Sequence, residues 1–260
     1  MLLLIPSLWA QELSFMECTY SMRELHYLNN GRIRKDEMTL RIGRTSSAFF
    51  SRWNWEGQAI ADSLFARGAS IGEVQNARKK AGLRVSILKN VIYKNYPEPG
   101  KITQTDEVGI GQYFRCTEEM LTPDWEITGE REDVLGYSCQ KAVVRDYYGR
   151  DWTAWFTTEI PVPNGPWKLH GLPGLILKAE DAEGHFTFTC IAIKEAKNPI
   201  EPRKERYIEC TKEEYVKQLK AYETNDTDYS RKRGLAVAVP ITEDYDTYVP
   251  PSNEFNYIER

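Results

Sequence analysis

At 260 residues, with 41% hydrophobic and 28% charged side chains, the chain is long enough to bury a sizeable core. A net charge of -4, with Lys and Arg scattered rather than gathered into a stripe, argues against nucleic-acid binding. The 15 Tyr and 7 Trp favour pleated, half-buried surfaces and tilt the expectation towards β structure.

The first ten residues are uncharged and include Leu2-Leu3-Leu4-Ile5, with Ala10 before Gln11 as a small-residue cleavage point. The run is too short to span a bilayer, and it fits the end of a secretory signal that lacks its basic start. We therefore expect residues 1–10 to be a signal remnant and 11–260 to form one mainly-β domain. Export would permit disulfides among Cys18, Cys116, Cys139, Cys190 and Cys210, with connectivity open. No C-x-x-C pair suggests zinc or thioredoxin-type chemistry.

Residues 13–27 read as a strand, Asn29-Asn30-Gly31 as a turn and 35–42 as a second strand. Residues 48–55 continue in an extended, aromatic-rich style. The first helical pattern is 62–80, with Ile71, Val74 and Ala77 at helical spacing and Gly82 as a stop. Strands follow at 85–96, 102–105, 109–116, 125–127 and 135–144, with Pro97-Glu98-Pro99-Gly100 breaking the run. Tyr147-Tyr148-Gly149-Arg150 turns the chain into the hexapeptide 152–157, and 186–193 is a clean late strand. Thr211-Lys212-Glu213-Glu214 is a capping box that opens a helix to about residue 223. The expected fold is a curved antiparallel sheet, a half-barrel or sandwich-like meander, with one or two short helices packed on it.

The densest stretch is Gly165-Pro166-Trp167-Lys168-Leu169-His170-Gly171-Leu172-Pro173-Gly174-Leu175-Ile176. Pro173 suits the first central position of a type II turn and Gly174 the positive φ of the second, making Gly171, Leu172, Pro173 and Gly174 a structural corner. Trp167 and His170 then stand on its flank, where a ligand or partner could be met. The hexapeptide and its approach resemble the GLPGLI family of Bacteroidota proteins. Comparable patterns occur at Lys35-Asp36-Glu37-Met38, Leu135-Gly136-Tyr137-Ser138-Cys139, Trp152-Thr153-Ala154-Trp155-Phe156 and Asn256-Tyr257-Ile258-Glu259. The resemblance implies export to the periplasm or beyond, and carries no agreed activity or catalytic residues. At the level of fold alone, the strand pattern is also similar to the curved half-barrels of envelope lipoprotein carriers.

Catalytic constellations are scarce. His26, His170 and His185 are too dispersed for a metal triad, so no metal site or cofactor is expected. Cys139 with His170 or His185 would be the thiol dyad of a secreted hydrolase, against the plainer reading of a buried strand cysteine. Glu180, Asp181 and Glu183 around Gly184 read as a solvated hairpin tip, with calcium as the alternative. The leading expectation is a non-catalytic envelope protein that binds a hydrophobic or peptide-like ligand, or an outer-membrane partner. Trp152, Trp155, Trp167 and His170 would line that surface.

Overall fold

The structure is a computed structural model, and it describes residues 12–25, 31, 33–84, 86, 88–109, 111–224 and 258. The expected signal remnant, His26, Asn29, Asn30 and most of the ending fall outside these residues. Twelve strands join one open sheet: β1 (Met16–Leu25), β2 (Ile33–Ile42), β3 (Ser47–Ser51), β4 (Val91–Lys94), β5 (Lys101–Glu107), β6 (Tyr113–Glu119), β7 (Glu126–Val134), β8 (Tyr137–Tyr147), β9 (Arg150–Thr157), β10 (Leu175–Asp181), β11 (Phe186–Glu195) and β12 (Tyr207–Glu209). Their order is β12-β6-β5-β4-β3-β2-β1-β11-β10-β9-β8-β7. Every pairing is antiparallel except β12 with β6, which is parallel. The mainly-β expectation therefore holds, with one parallel edge added. Among the described residues three helices accompany the sheet instead of one or two: α1 (Arg52–Phe65), α2 (Ile71–Lys80) and α3 (Lys212–Thr224).

Alternation explains most of the sheet. In β1, Cys18, Tyr20 and Met22 are buried, with Thr19, Ser21 and Arg23 between them. Two hairpins use tight turns with positive φ at both central residues, Leu135-Gly136 between β7 and β8 and Tyr148-Gly149 between β8 and β9. This is the geometry that matches the right-handed twist of paired strands.

At β3 both faces are covered. Phe49 meets Phe188 on the inner face (5.7 Å between centroids), and Phe50 meets Trp55 of α1 on the outer (4.6 Å). The inner face carries the main core, from Tyr20 and Leu40 through Ile92 and Ile102 to Trp152, Phe156 and Phe188. Ile102, Gln104 and Asp106 share that face of β5, opposite Glu118, Cys116 and Phe114 of β6. Helix α3 packs Tyr215 there, on Phe114 and Cys116, and the Tyr215 hydroxyl donates to Asp106 (2.6 Å).

Three expectations need correction. Residues 52–55 are helical, because Ser51 turns the chain by capping α1: its hydroxyl accepts from Asn54 N. The helical run 62–80 is two helices, broken at Gly68 (φ 77) and restarted by a full capping box between Ser70 and Glu73. The strand placed at 85–96 is confined to Val91–Lys94. The capping box at Thr211 forms as expected, with Thr211 N donating to Glu214 (2.9 Å) and Glu214 N to the Thr211 hydroxyl (3.2 Å).

Candidate functional site

The segment 158–174 joins β9 to β10 and lies over the inner face. Its path is fixed by backbone bonds, Leu169 N to Pro166 O (3.0 Å), Gly171 N to Pro163 O (3.3 Å) and Ile176 N to Asn164 O (3.0 Å). The type II turn at Gly174 is not what the chain makes. Gly174 has no positive φ, whereas Gly171 does (φ 88). Glycine is required at 174 because the backbone passes so close that a Cβ would lie 2.0 Å from Thr157 O. Gly165 answers to a similar need, since its Cβ would lie 2.9 Å from the side chain of Ile176.

Trp167 adopts the left-handed region (φ 51), which is costly for a bulky side chain. At this kink three consecutive residues, Trp167, Lys168 and Leu169, are all buried. The Trp167 ring packs against Trp152 (5.3 Å) and Tyr148 (5.4 Å). Lys168 is fully buried, its ammonium 4.1 Å from the Tyr148 ring centre and paired with Glu118 of β6. From β4, the Lys94 ammonium donates to Gly165 O (2.7 Å) and Leu169 O (2.9 Å), and burial holds its pKa well below the usual lysine range. The segment is thus bonded to β4 and β6 on one side and packed on β8 and β9 on the other.

His170 completes the corner. Its Nε2 lies 3.0 Å from Leu121 O, a carbonyl that only accepts, so Nε2 carries the proton and Nδ1 is left as an acceptor. Trp125 Nε1 returns the link by donating to His170 O (2.8 Å). Burial lowers the His170 pKa to about 4, assisted by Lys94, so the ring is neutral at physiological pH. Gly171 and Pro173 are exposed beside it, and Leu121 is 49% exposed.

The four candidate binding residues do not share one surface. Trp152 and Trp167 are core, and they support the corner from behind. Trp155 is on the opposite face of β9 from Trp152, under the Lys178 ammonium (4.2 Å), which is itself paired with Glu132. Only His170 reaches the rim. Lys94, Glu118, Leu121 and Trp125 were not among the sequence candidates. They lie 45–75 residues from their partners in the segment, and nothing in the linear order of residues points to them.

The thiol-dyad alternative fares poorly. Cys139 is buried and its thiol is pushed up to about 11, first by burial and then by the carboxylates of Glu132, Asp133 and Glu159. Its thiol donates to Tyr137 O (3.6 Å) and is the reverse of an activated nucleophile. The hairpin tip is also more than a solvated turn. Asp181 is buried and paired with Arg150 (2.7 Å), whose guanidinium also reaches Glu183 (3.2 Å). Asp181, Glu183 and His185 could each present a ligand atom to one point. Arg150 already supplies the positive charge there, so the cluster reads as an ion-pair hub.

All five cysteines are thiols in this structure; the Cys190 thiol donates to Ala192 O (3.5 Å) and the Cys210 thiol to Arg115 O (3.7 Å). No helix among the described residues is long and apolar enough to cross a membrane.

The architecture defines a mainly-β protein built on one open sheet with an inner face bridged by a loop. Residues 149–178, which are β9, the corner and the start of β10, match a family described as "Protein of unknown function (Porph_ging)". No curated protein matches. Among solved structures, PNGF-II is similar in two crystal forms, at 16% identity over 79% of this chain with TM-scores of 0.54 and 0.51. This chain spans about a third of the length of PNGF-II (33% and 32%), and the likeness is one of fold. A LolA superfamily protein, NE2245 from Nitrosomonas europaea, matches at 9% identity over 75% of this chain and 89% of its own, with a TM-score of 0.26.

Proposed function

We propose that this is an exported, non-catalytic protein of the cell envelope, of the GLPGLI kind, whose corner binds an apolar or peptide-like ligand or an envelope partner. The observation that carries this reading is the rigid rim at the corner. His170 and Trp125 exchange hydrogen bonds with the backbones of residues 121 and 170, and Leu121 is held there half exposed. An apolar side chain fixed in place beside a neutral imidazole with a spare acceptor suits a ligand that is mostly apolar with an occasional N–H. The family match supports the choice of region, since it falls on β9 and the corner.

A hydrolase is disfavoured by the state of the candidate groups. Cys139 is held as a thiol, and Lys94 and Lys168 are committed to holding the loop. The test is affinity capture from envelope fractions with the wild type, Leu121→Ser and His170→Ala. Trp167→Ala is unsuitable, because truncating a buried Trp costs about 3–5 kcal/mol and would confuse unfolding with lost binding. Loss of the same captured species in both rim variants, with folding intact, is the expected result. Retention of every species in both would remove the corner as the binding site.

A further inference from the structure

Among the described residues, strand β12 is the shortest in the sheet and the only one added in parallel. It pairs Tyr207 with Tyr113, Ile208 with Phe114 and Glu209 with Arg115. The next step of that register sets Cys210 beside Cys116. The ladder does continue, since Cys210 N donates to Arg115 O (3.0 Å). In-register residues on adjacent parallel strands point to the same face, about 4.8 Å apart along the hydrogen-bonding direction. A disulfide needs its Cα atoms about 4.4–6.8 Å apart. Both cysteines face the same small cluster, with Phe114 and Tyr215 of α3.

We propose that Cys116 and Cys210 are a disulfide-forming pair whose bond staples β12 and helix α3 to the inner face of the sheet. The reaction is thiol–disulfide exchange with an oxidant of the disulfide class. Cys210, the more exposed of the two, loses its proton and attacks the oxidant, releasing one oxidant thiolate and leaving a mixed disulfide. Cys116 then loses its proton and attacks the Cys210 sulfur, releasing the second. Two protein thiols and one oxidant disulfide become one protein disulfide and two oxidant thiols. Burial pushes the Cys116 thiol up to about 12 and raises that of Cys210, so exchange is slow without an excess of oxidant.

The consequence follows from what otherwise holds α3. Its anchors to the sheet include the three-residue ladder, the Tyr215–Asp106 bond, a bond from Lys212 to Gln104 (3.5 Å) and an apolar stripe of Tyr215, Leu219 and Tyr222. A bond at Cys210, immediately before the helix, would close a loop of about 95 residues and keep α3 in place through local opening. The formation of the bond in a cell rests on the exported reading above. Its chemistry does not.

The test uses the purified full chain, incubated with excess glutathione disulfide, alkylated and digested without reduction. The expected product is a peptide pair joining Cys116 to Cys210, absent from Cys210→Ser. Oxidation should raise the melting temperature by roughly 5–10 °C in the wild type and leave Cys210→Ser unchanged. It should also slow hydrogen exchange in α3. Alkylation of both cysteines after oxidation, or their pairing with Cys18, Cys139 or Cys190, would overturn the proposal. If the purified protein forms the bond while protein taken from cells is fully reduced, the pairing stands and the exported reading fails.

Discussion

Replacing Gly174 with alanine places a methyl group 2.0 Å from the carbonyl oxygen of Thr157 and 2.6 Å from its carbon. These are backbone atoms of the neighbouring segment, so no side chain can swing aside. Relief requires the β9 end and the corner to separate by more than about 1 Å, which overpacks or opens the best-filled part of the core. We expect a loss of about 3 kcal/mol, the upper end of overpacking costs. For a chain of this size that is roughly 6–12 °C in melting temperature. Gly171→Ala is the matched control. It sits at φ 88 with its nearest neighbour, Pro123, at a comfortable 3.6 Å, so its cost is conformational, about 1 kcal/mol. Urea unfolding followed by tryptophan fluorescence measures both. A Gly174→Ala loss below that of Gly171→Ala would refute the close approach.

The buried ammonium of Lys94 has only carbonyl partners, and Lys94→Met would orphan Gly165 O and Leu169 O. Denaturant melts should show a loss of about 2–4 kcal/mol; a neutral result would mean that the loop does not depend on this tie. His170 has its folded-state pKa lowered to about 4 from the ordinary 6.5. The unfolded chain therefore binds the proton first as pH falls, so the contribution is complete above pH 6.5 and is lost between there and pH 4. The ceiling is about 3 kcal/mol, reduced by solvent screening because the ring is only half-buried. His170→Gln should flatten the stability curve over that window, and an unchanged slope would contradict the assignment. Cys139 should resist alkylation in the folded protein at pH 8, and Cys139→Ser should leave any hydrolytic activity of the preparation unchanged. A fast-reacting Cys139 would revive the thiol-dyad reading.

Much of the sheet could be read directly from residue order, because alternation along β1, β2 and β11 and the turn residues at 148–149 act locally. The capping box at Thr211 was equally plain. Ser70 and Glu73 offered the same signal and would have divided the 62–80 pattern into two helices. Ser51 was harder to read, since its neighbours Phe49, Phe50, Trp53 and Trp55 look like strand residues until tertiary packing assigns Trp55 to the outer face of β3. The density of Gly and Pro at 165–174 is legible as a corner, whereas the reason glycine is needed at 174 is not. A type II turn and a close backbone approach both demand glycine, and only coordinates distinguish them. Aromatic residues suit both surfaces and cores, so residue type alone does not separate the buried Trp152 and Trp167 from a binding face. Their burial depends on Lys94 and Glu118, which reach the corner from strands on the far side of the sheet.

The proposed contact with a partner or ligand is at the rim formed by Leu121 and His170. The most direct measurement is photocrosslinking in the native envelope, with a photoreactive side chain placed at position 121 and, as control, at Ile191. Ile191 is similarly exposed, at 46% against 49%, and adjoins Cys190, whose side chain is buried in the inner core. Ile191 sits where β11 shifts register against β1, and its solvent exposure, not strand alternation, makes it the matched control. A discrete adduct from position 121 that is absent from position 191 is the predicted result. Equal labelling from both positions, or an adduct from 191 alone, would contradict it.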